Sequence, residues 1–175
     1  FFFLKNPVRK TGALLFTSLL YIDSCRQMGA AARRFGCGDA MRYEAEAAAV
    51  GAAVDDLYDG PLWAAASHDN RLPDVWGSAY LVALNLSTPA RREAAMAELE
   101  GQSDRYFSFG QVRSLPYPLT WERCCWSAGC RGGCAANGTY QNGGYWATPL
   151  PYVVRALLVT GRAGFAEKLL HAAVA

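Results

Sequence analysis

The sequence predicts an all-α fold built of antiparallel helical hairpins. Apolar residues recur at three- and four-residue spacing along most of the chain, capping residues stand where those runs begin, and glycines stand where they end. With 175 residues, 52% of them apolar and 18% charged, the chain has the size of one domain and enough apolar content for a core. Residues 1–175 therefore read as a single domain.

The first ten residues, Phe-rich and then basic, carry no clear period. From Gly12 the pattern turns helical, with Leu15, Leu19, Ile22, Cys25 or Arg26, and Met28 or Gly29 in register. This helix is expected to run to Arg34 and stop at Phe35-Gly36, glycine being favoured just past a helix end. Asp39 can cap a second helix whose stripe is Tyr43, Ala47, Val50, Val54 and Leu57. The short Gly-containing link makes the two an αα-hairpin. A turn through Tyr58-Asp59-Gly60-Pro61 leads into a short extended segment ending at Ser67, then the polar loop His68-Asp69-Asn70-Arg71-Leu72-Pro73.

Asp74 is placed to cap a helix over Val75 to Leu84, which is apolar on most faces and so expected to be buried. Thr88-Pro89 opens the next helix, whose exposed face carries Arg91, Arg92, Glu93, Glu98 and Glu100. Between Gln102 and Asn137 no helix is expected, although Tyr106-Phe107-Ser108-Phe109 alternates like a short strand. Two closing helices, at about 149–160 and 163–174, are separated by Gly161. Thr148 reads as the N-cap of the first and Pro149 as its first helical residue.

A net charge of +2 with scattered basic residues points to no nucleic-acid partner. No uncharged apolar run approaches the roughly 18 residues of a membrane span, so no membrane partner is expected. The opening Phe1-Phe2-Phe3-Leu4 is too short for a span and lacks a signal peptide's basic flank. A chain beginning on Phe reads as a piece of something longer.

The stretch with most chemistry is Thr139-Tyr140-Gln141-Asn142-Gly143-Gly144-Tyr145-Trp146. Aromatic faces beside carboxamides suit a sugar, since rings stack on its C–H face and amides bond its hydroxyls. The paired glycines allow positive φ and close backbone approach. The competing reading is an aromatic turn that only packs under a helix. A second unusual segment, the Gly-rich loop at about 123–137, holds Cys124, Cys125, Cys130 and Cys134. Four thiolates can enclose zinc, but adjacent Cys124-Cys125 do not readily aim both sulfurs at one ion. A disulfide-pinned loop and unpaired thiols are the other readings. Two histidines, His68 and His171, and no phosphate-cradling glycine loop call for no cofactor and no metal.

Three stretches together resemble the six-hairpin glycosidases, the (α/α)6-toroid superfamily of glycoside hydrolases. They are Thr11-Gly12-Ala13-Leu14-Leu15-Phe16, Leu72-Pro73-Asp74-Val75-Trp76-Gly77-Ser78-Ala79-Tyr80, and Tyr140 to Trp146 with its following helix. The resemblance implies a ring of helical hairpins whose loops at one end form a carbohydrate pocket. It covers most of the chain from about residue 11, but a full toroid needs about twelve helices. This chain offers half, as a C-terminal part would, and the Cys-rich loop has no place in the family pattern. Its exposed seams would be covered by the missing half or by a second copy.

The resemblance implies hydrolysis of an O-glycosidic bond by two carboxylates, in the inverting arrangement. Such chemistry needs one protonated acid and one ionised base on either side of the bond. Among the acidic residues, Glu122 after Trp121 best suits the acid, because aromatic surroundings raise a carboxyl pKa. Asp74 is the second candidate, although its position equally suits a helix cap. Trp76, Trp121, Tyr140, Gln141, Asn142, Tyr145 and Trp146 would then contact the sugar. The alternative is a carbohydrate-binding or scaffold remnant without turnover.

Overall fold

The computed structural model describes residues 8–121, 136–140 and 142–175. Among them the fold is mainly α, with six α-helices and a few short antiparallel strands. The helices are α1 (Leu15–Phe35), α2 (Ala40–Val54), α3 (Val75–Ala83), α4 (Pro89–Gly101), α5 (Leu150–Val159) and α6 (Ala163–Val174).

Local sequence explains most of the helix ends. Asp39 accepts the Arg42 N–H at 3.0 Å, Asp74 that of Gly77 at 2.9 Å, and Thr88 that of Arg91 at 3.3 Å. Each supplies an acceptor that the first helical turn lacks. Helix α1 ends at Gly36 with φ +64°, and the Cys37 N–H closes back onto the Ala32 carbonyl. Helix α5 departs from expectation. Thr148 does not cap it; Thr148 and Pro149 lie in a turn in which the Leu150 N–H reaches the Ala147 carbonyl. Leu150 is the first helical residue, and the Pro149 carbonyl accepts from Tyr152 and Val153.

Helix α3 is the centre of the packing. It contacts α1, α4 and α5, and all its residues but Trp76 are buried. Helix α2 packs along α1, and α6 along α5. The odd-numbered helices thus stand side by side, each with its even-numbered successor packed against it. An aromatic line crosses them: Phe16 on α1 lies 5.7 Å from Tyr80 on α3, which lies 4.4 Å from Tyr152 on α5. The Tyr80 hydroxyl donates to Asp23 on α1 at 2.8 Å. Leu15, Leu19, Ile22, Leu81, Val82, Met96, Leu99, Val153 and Leu157 are fully buried around this axis. Each contributes about 1.5–3 kcal/mol relative to an exposed position.

Among the described residues two small sheets lie in the connections between helices. Strands β1 (Tyr58–Asp59) and β2 (Leu62–Trp63) form an antiparallel hairpin. Strands β3 (Phe107–Ser108), β4 (Gln111–Arg113) and β5 (Tyr145–Trp146) form an antiparallel sheet in that order. Its register sets Val112 opposite Trp146 and Arg113 opposite Tyr145. The alternation at Tyr106–Phe109 foretold β3, whereas the β4–β5 pairing had no local signal.

Candidate functional site

The three stretches that carry the family resemblance meet in space. In the first, the Leu15 N–H reaches the Ala65 carbonyl, and the Ala13 and Thr11 carbonyls accept from Ser67 and His68. The Thr11 hydroxyl donates to the Asp69 carboxylate at 3.0 Å, with Arg9 Nε also 3.0 Å from it. Gly12 has φ +82°, and a Cβ there would fall 2.1 Å from both His68 Nδ1 and Ser67 Oγ. Only glycine fits this crossing.

The second stretch is tied in by the Ala65 N–H to the Leu72 carbonyl and the Asp74 N–H to the Trp63 carbonyl. Asp74 is 3% exposed. One of its oxygens caps α3, and the other lies 3.8 Å from Lys10 Nζ. That same ammonium stands 4.3 Å from the centroid of the Trp121 ring, a cation–π contact. The cap follows from the position of Asp74 ahead of α3, whereas its pairing with Lys10 has no local signal.

The third stretch is pinned by Asn142, 2% exposed, whose Oδ1 accepts the Trp121 N–H at 2.7 Å. Its amide nitrogen reaches Asn137 Oδ1 at 3.3 Å. Tyr140 is held at φ +43°, a left-handed conformation that costs a non-glycine residue about 1–3 kcal/mol and that collects at functional sites. The Gly143-Gly144 pair has distinct reasons at each position. Gly143 has φ +90° and lies so close to the Arg113 guanidinium that a Cβ would fall 2.1 Å from Nη2. At Gly144 a Cβ would fall 2.5 Å from the Tyr140 carbonyl oxygen.

These constraints assemble an aromatic face. Trp76, at the start of α3, meets Trp146 of β5 edge-to-face at 6.3 Å, and Tyr140 lies 5.3 Å from Trp146. Both indole nitrogens are fixed, Trp76 Nε1 donating to the Val112 carbonyl and Trp146 Nε1 to that of Tyr140. Both tryptophans are half-buried, and Tyr140 is 52% exposed. Tyr145 is 37% exposed and points to the opposite side of β5, toward Arg113.

Trp121 differs from the other aromatics. It is 5% exposed and belongs to a small core with Ala65 and Leu115, so its ring supports the site from beneath. Glu122, Gln141 and the cysteines Cys124 to Cys134 lie outside the described residues. Among the described residues no group of three or more His, Cys, Asp or Glu side chains could hold a metal ion. Among the described residues no helix is long and apolar enough to cross a membrane. A groove of about 170 Å³ beside Phe107, Phe109 and Phe165 is lined by none of the site residues read from the sequence.

Two residues near the site carry no local sequence signal. Lys10 sits in a segment without periodicity. Arg113 is 2% exposed on β4 and packs near the rings of Tyr117 and Tyr145, at 5.2 and 5.7 Å. Burial depresses its pKa. Only the β4–β5 register, invisible from local sequence, reveals Arg113 as part of the 140–146 stretch. Comparison with protein families, curated proteins and solved structures found no match for the chain.

Proposed function

We propose that this chain is part of an (α/α)6-type glycoside hydrolase domain, acting on an O-glycosidic bond through a two-carboxylate, inverting mechanism. The observation that carries the reading is the Trp76–Trp146–Tyr140 face, assembled from two separate stretches that resemble the family's. Aromatic walls with a few oriented polar groups are the usual make-up of a small-ligand site. The arrangement of hairpins also supports it. Odd helices stand in a row, each backed by the next, as they would in half of a six-hairpin ring.

In this mechanism Asp74 is the ionised carboxylate and Glu122 the protonated acid. Lys10 Nζ stands 3.8 Å from the Asp74 carboxylate. Trp76, Tyr140 and Trp146 would stack on or flank the sugar, with Gln141 serving its hydroxyls; Asn142, buried with both amide atoms bonded within the fold, and Tyr145, on the other side of β5, instead hold the stretch in place, Trp121 seating Asn142.

A second reading, a carbohydrate-binding domain without turnover, is favoured by one observation. Both Asp74 oxygens already have work in the fold, one on the α3 cap and one beside Lys10. Turnover of an oligosaccharide panel by the wild type, Asp74→Asn and Glu122→Gln separates the two. The hydrolase reading expects sugar release by the wild type, its loss in both variants, and binding retained. Binding without release by the wild type would establish the second reading instead.

A further inference from the structure

The tip of the β3–β4 hairpin departs from the usual turn chemistry. Ser108 pairs with Gln111, which leaves Phe109 and Gly110 as a two-residue turn with φ +47° and +68°. Such a turn needs positive φ at both residues and is ordinarily made by Asn-Gly, because a bulky side chain is strained there. The Phe109 ring is also 86% exposed. Neither cost is offset by burial within the chain. The turn is nonetheless firmly seated: a Cβ at Gly110 would fall 2.4 Å from Ala173 Cβ, so its backbone lies directly on α6. Beside this projecting ring lies the groove of about 170 Å³. One wall is the 103–110 segment and the other is α6, and Phe107 of the first meets Phe165 of the second edge-to-face at 5.7 Å. The first wall carries Asp104 and the second Lys168, both exposed. Among the described residues neither of these two charges is ion-paired.

We propose that this surface joins two copies of the chain about a two-fold axis running along the groove, each Phe109 seated on the other copy's α6. An isologous interface uses the same patch on both copies, so one patch must present knob and hole together, as this one does. Rotation about that axis sets the 103–110 wall of each copy over the α6 wall of the other. Phe109 then leaves water for the apolar surface of the other copy's Phe165, Leu169 and Ala172. Asp104 of each copy comes opposite Lys168 of the other, so the charge pairing is made twice. An axis across the groove would instead set Asp104 against Asp104 and Lys168 against Lys168, and like charges in opposition suppress association. Because the turn is already held on α6, little freedom is lost when its ring is buried. No residue of the Trp76–Trp146–Tyr140 face lines the groove, so the proposal stands apart from the carbohydrate reading.

Sedimentation equilibrium of the full chain over a wide concentration range tests the proposal. The wild type should be a reversible dimer with a dissociation constant below about 1 mM. Phe109→Asn should weaken the dimer at least about thirtyfold, as loss of an aromatic anchor does. At concentrations where both proteins are monomeric its Tm should equal or exceed that of the wild type, because asparagine suits this turn. That second readout separates loss of the knob from loss of the fold. Lys168→Glu, which sets like charges opposite each other, should weaken the dimer at least about tenfold, and adding Asp104→Lys in the same chain should restore it. A wild type still monomeric at about 1 mM would overturn the proposal. So would a dimer undisturbed by Phe109→Asn, which would place association on another surface, or a charge swap that restores nothing. A monomer whose Tm rises with a sugar in the wild type but not in Phe109→Asn would also overturn it, making the groove a ligand site instead.

Discussion

The Oδ1 of Asn142 accepts the backbone N–H of Trp121 at 2.7 Å, joining the aromatic stretch of the second half to the segment beneath Lys10. Both residues are buried, so the bond is made away from water. Removing one partner of such a bond exposes the full desolvation penalty of the other.

Asn142→Ala should therefore destabilise the domain by about 1–3 kcal/mol. For a chain of this size each kcal/mol moves Tm by about 2–4 °C. Thermal denaturation followed by circular dichroism measures it. A Tm unchanged from wild type would mean that this bond does not hold the stretch in place.

Gly77 and Leu15 interlock at the α1–α3 crossing. A Cβ on Gly77 would fall 2.5 Å from Leu15 Cδ2. Gly77→Ala gains up to about 1 kcal/mol of helix propensity but overpacks the crossing, which costs about 1–3 kcal/mol. The variant should be net destabilised. Leu15→Ala alone should cost about 2–5 kcal/mol by leaving a cavity. The double variant should lose less than the sum of the two, and urea denaturation of all four proteins gives the coupling. Simple additivity would contradict the packing described.

Asp74→Asn should leave Tm nearly unchanged, because asparagine caps a helix as well as aspartate does. Asp74→Ala should cost about 1 kcal/mol or more, since the Gly77 N–H loses its acceptor. Equal stability of the two variants would show that the cap is not what the buried oxygen contributes.

Tyr80 and Tyr106 both have raised pKa values, first from burial and second from hydrogen bonds to Asp23 and Glu98. An ordinary tyrosine titrates near 10.0. Because the folded values are higher, the native state holds these protons longer than the unfolded chain does. The stability they contribute is fully present below about pH 10 and is lost as pH rises toward the folded values. Tyrosinate absorbance should show these phenols ionising together with alkaline unfolding. Their ionisation in the still-folded protein near pH 10 would contradict the assigned bonds.

Much of the fold was legible because its signals are local. The stripe Leu15, Leu19, Ile22 is buried as its spacing implies, and the capping roles of Asp39, Asp74 and Thr88 follow from residue type alone. Thr148 misled because Ala147 to Leu150 closes a turn that supplies a backbone acceptor where a side-chain cap was expected. The site was legible in part. Trp76, Tyr140 and Trp146 announce themselves as aromatics beside turn residues. Lys10 and Arg113 acquire their roles only through tertiary contacts, with Trp121 and Asp74 for one and with Gly143 and Tyr145 for the other. Those contacts join segments distant in sequence, and no local pattern encodes them.

The proposed function stands or falls with carbohydrate binding at the Trp76–Trp146–Tyr140 face. The most direct measurement is a thermal-shift titration of the chain with mono- and oligosaccharides, run beside Tyr140→Ala and Trp146→Ala. A sugar at about 100 times its dissociation constant adds about 2.7 kcal/mol of stability. The wild type should show a saturable rise in Tm with at least one sugar, sharply reduced in both variants. Cooperative melting indifferent to every sugar, or a rise undiminished in both variants, would contradict it.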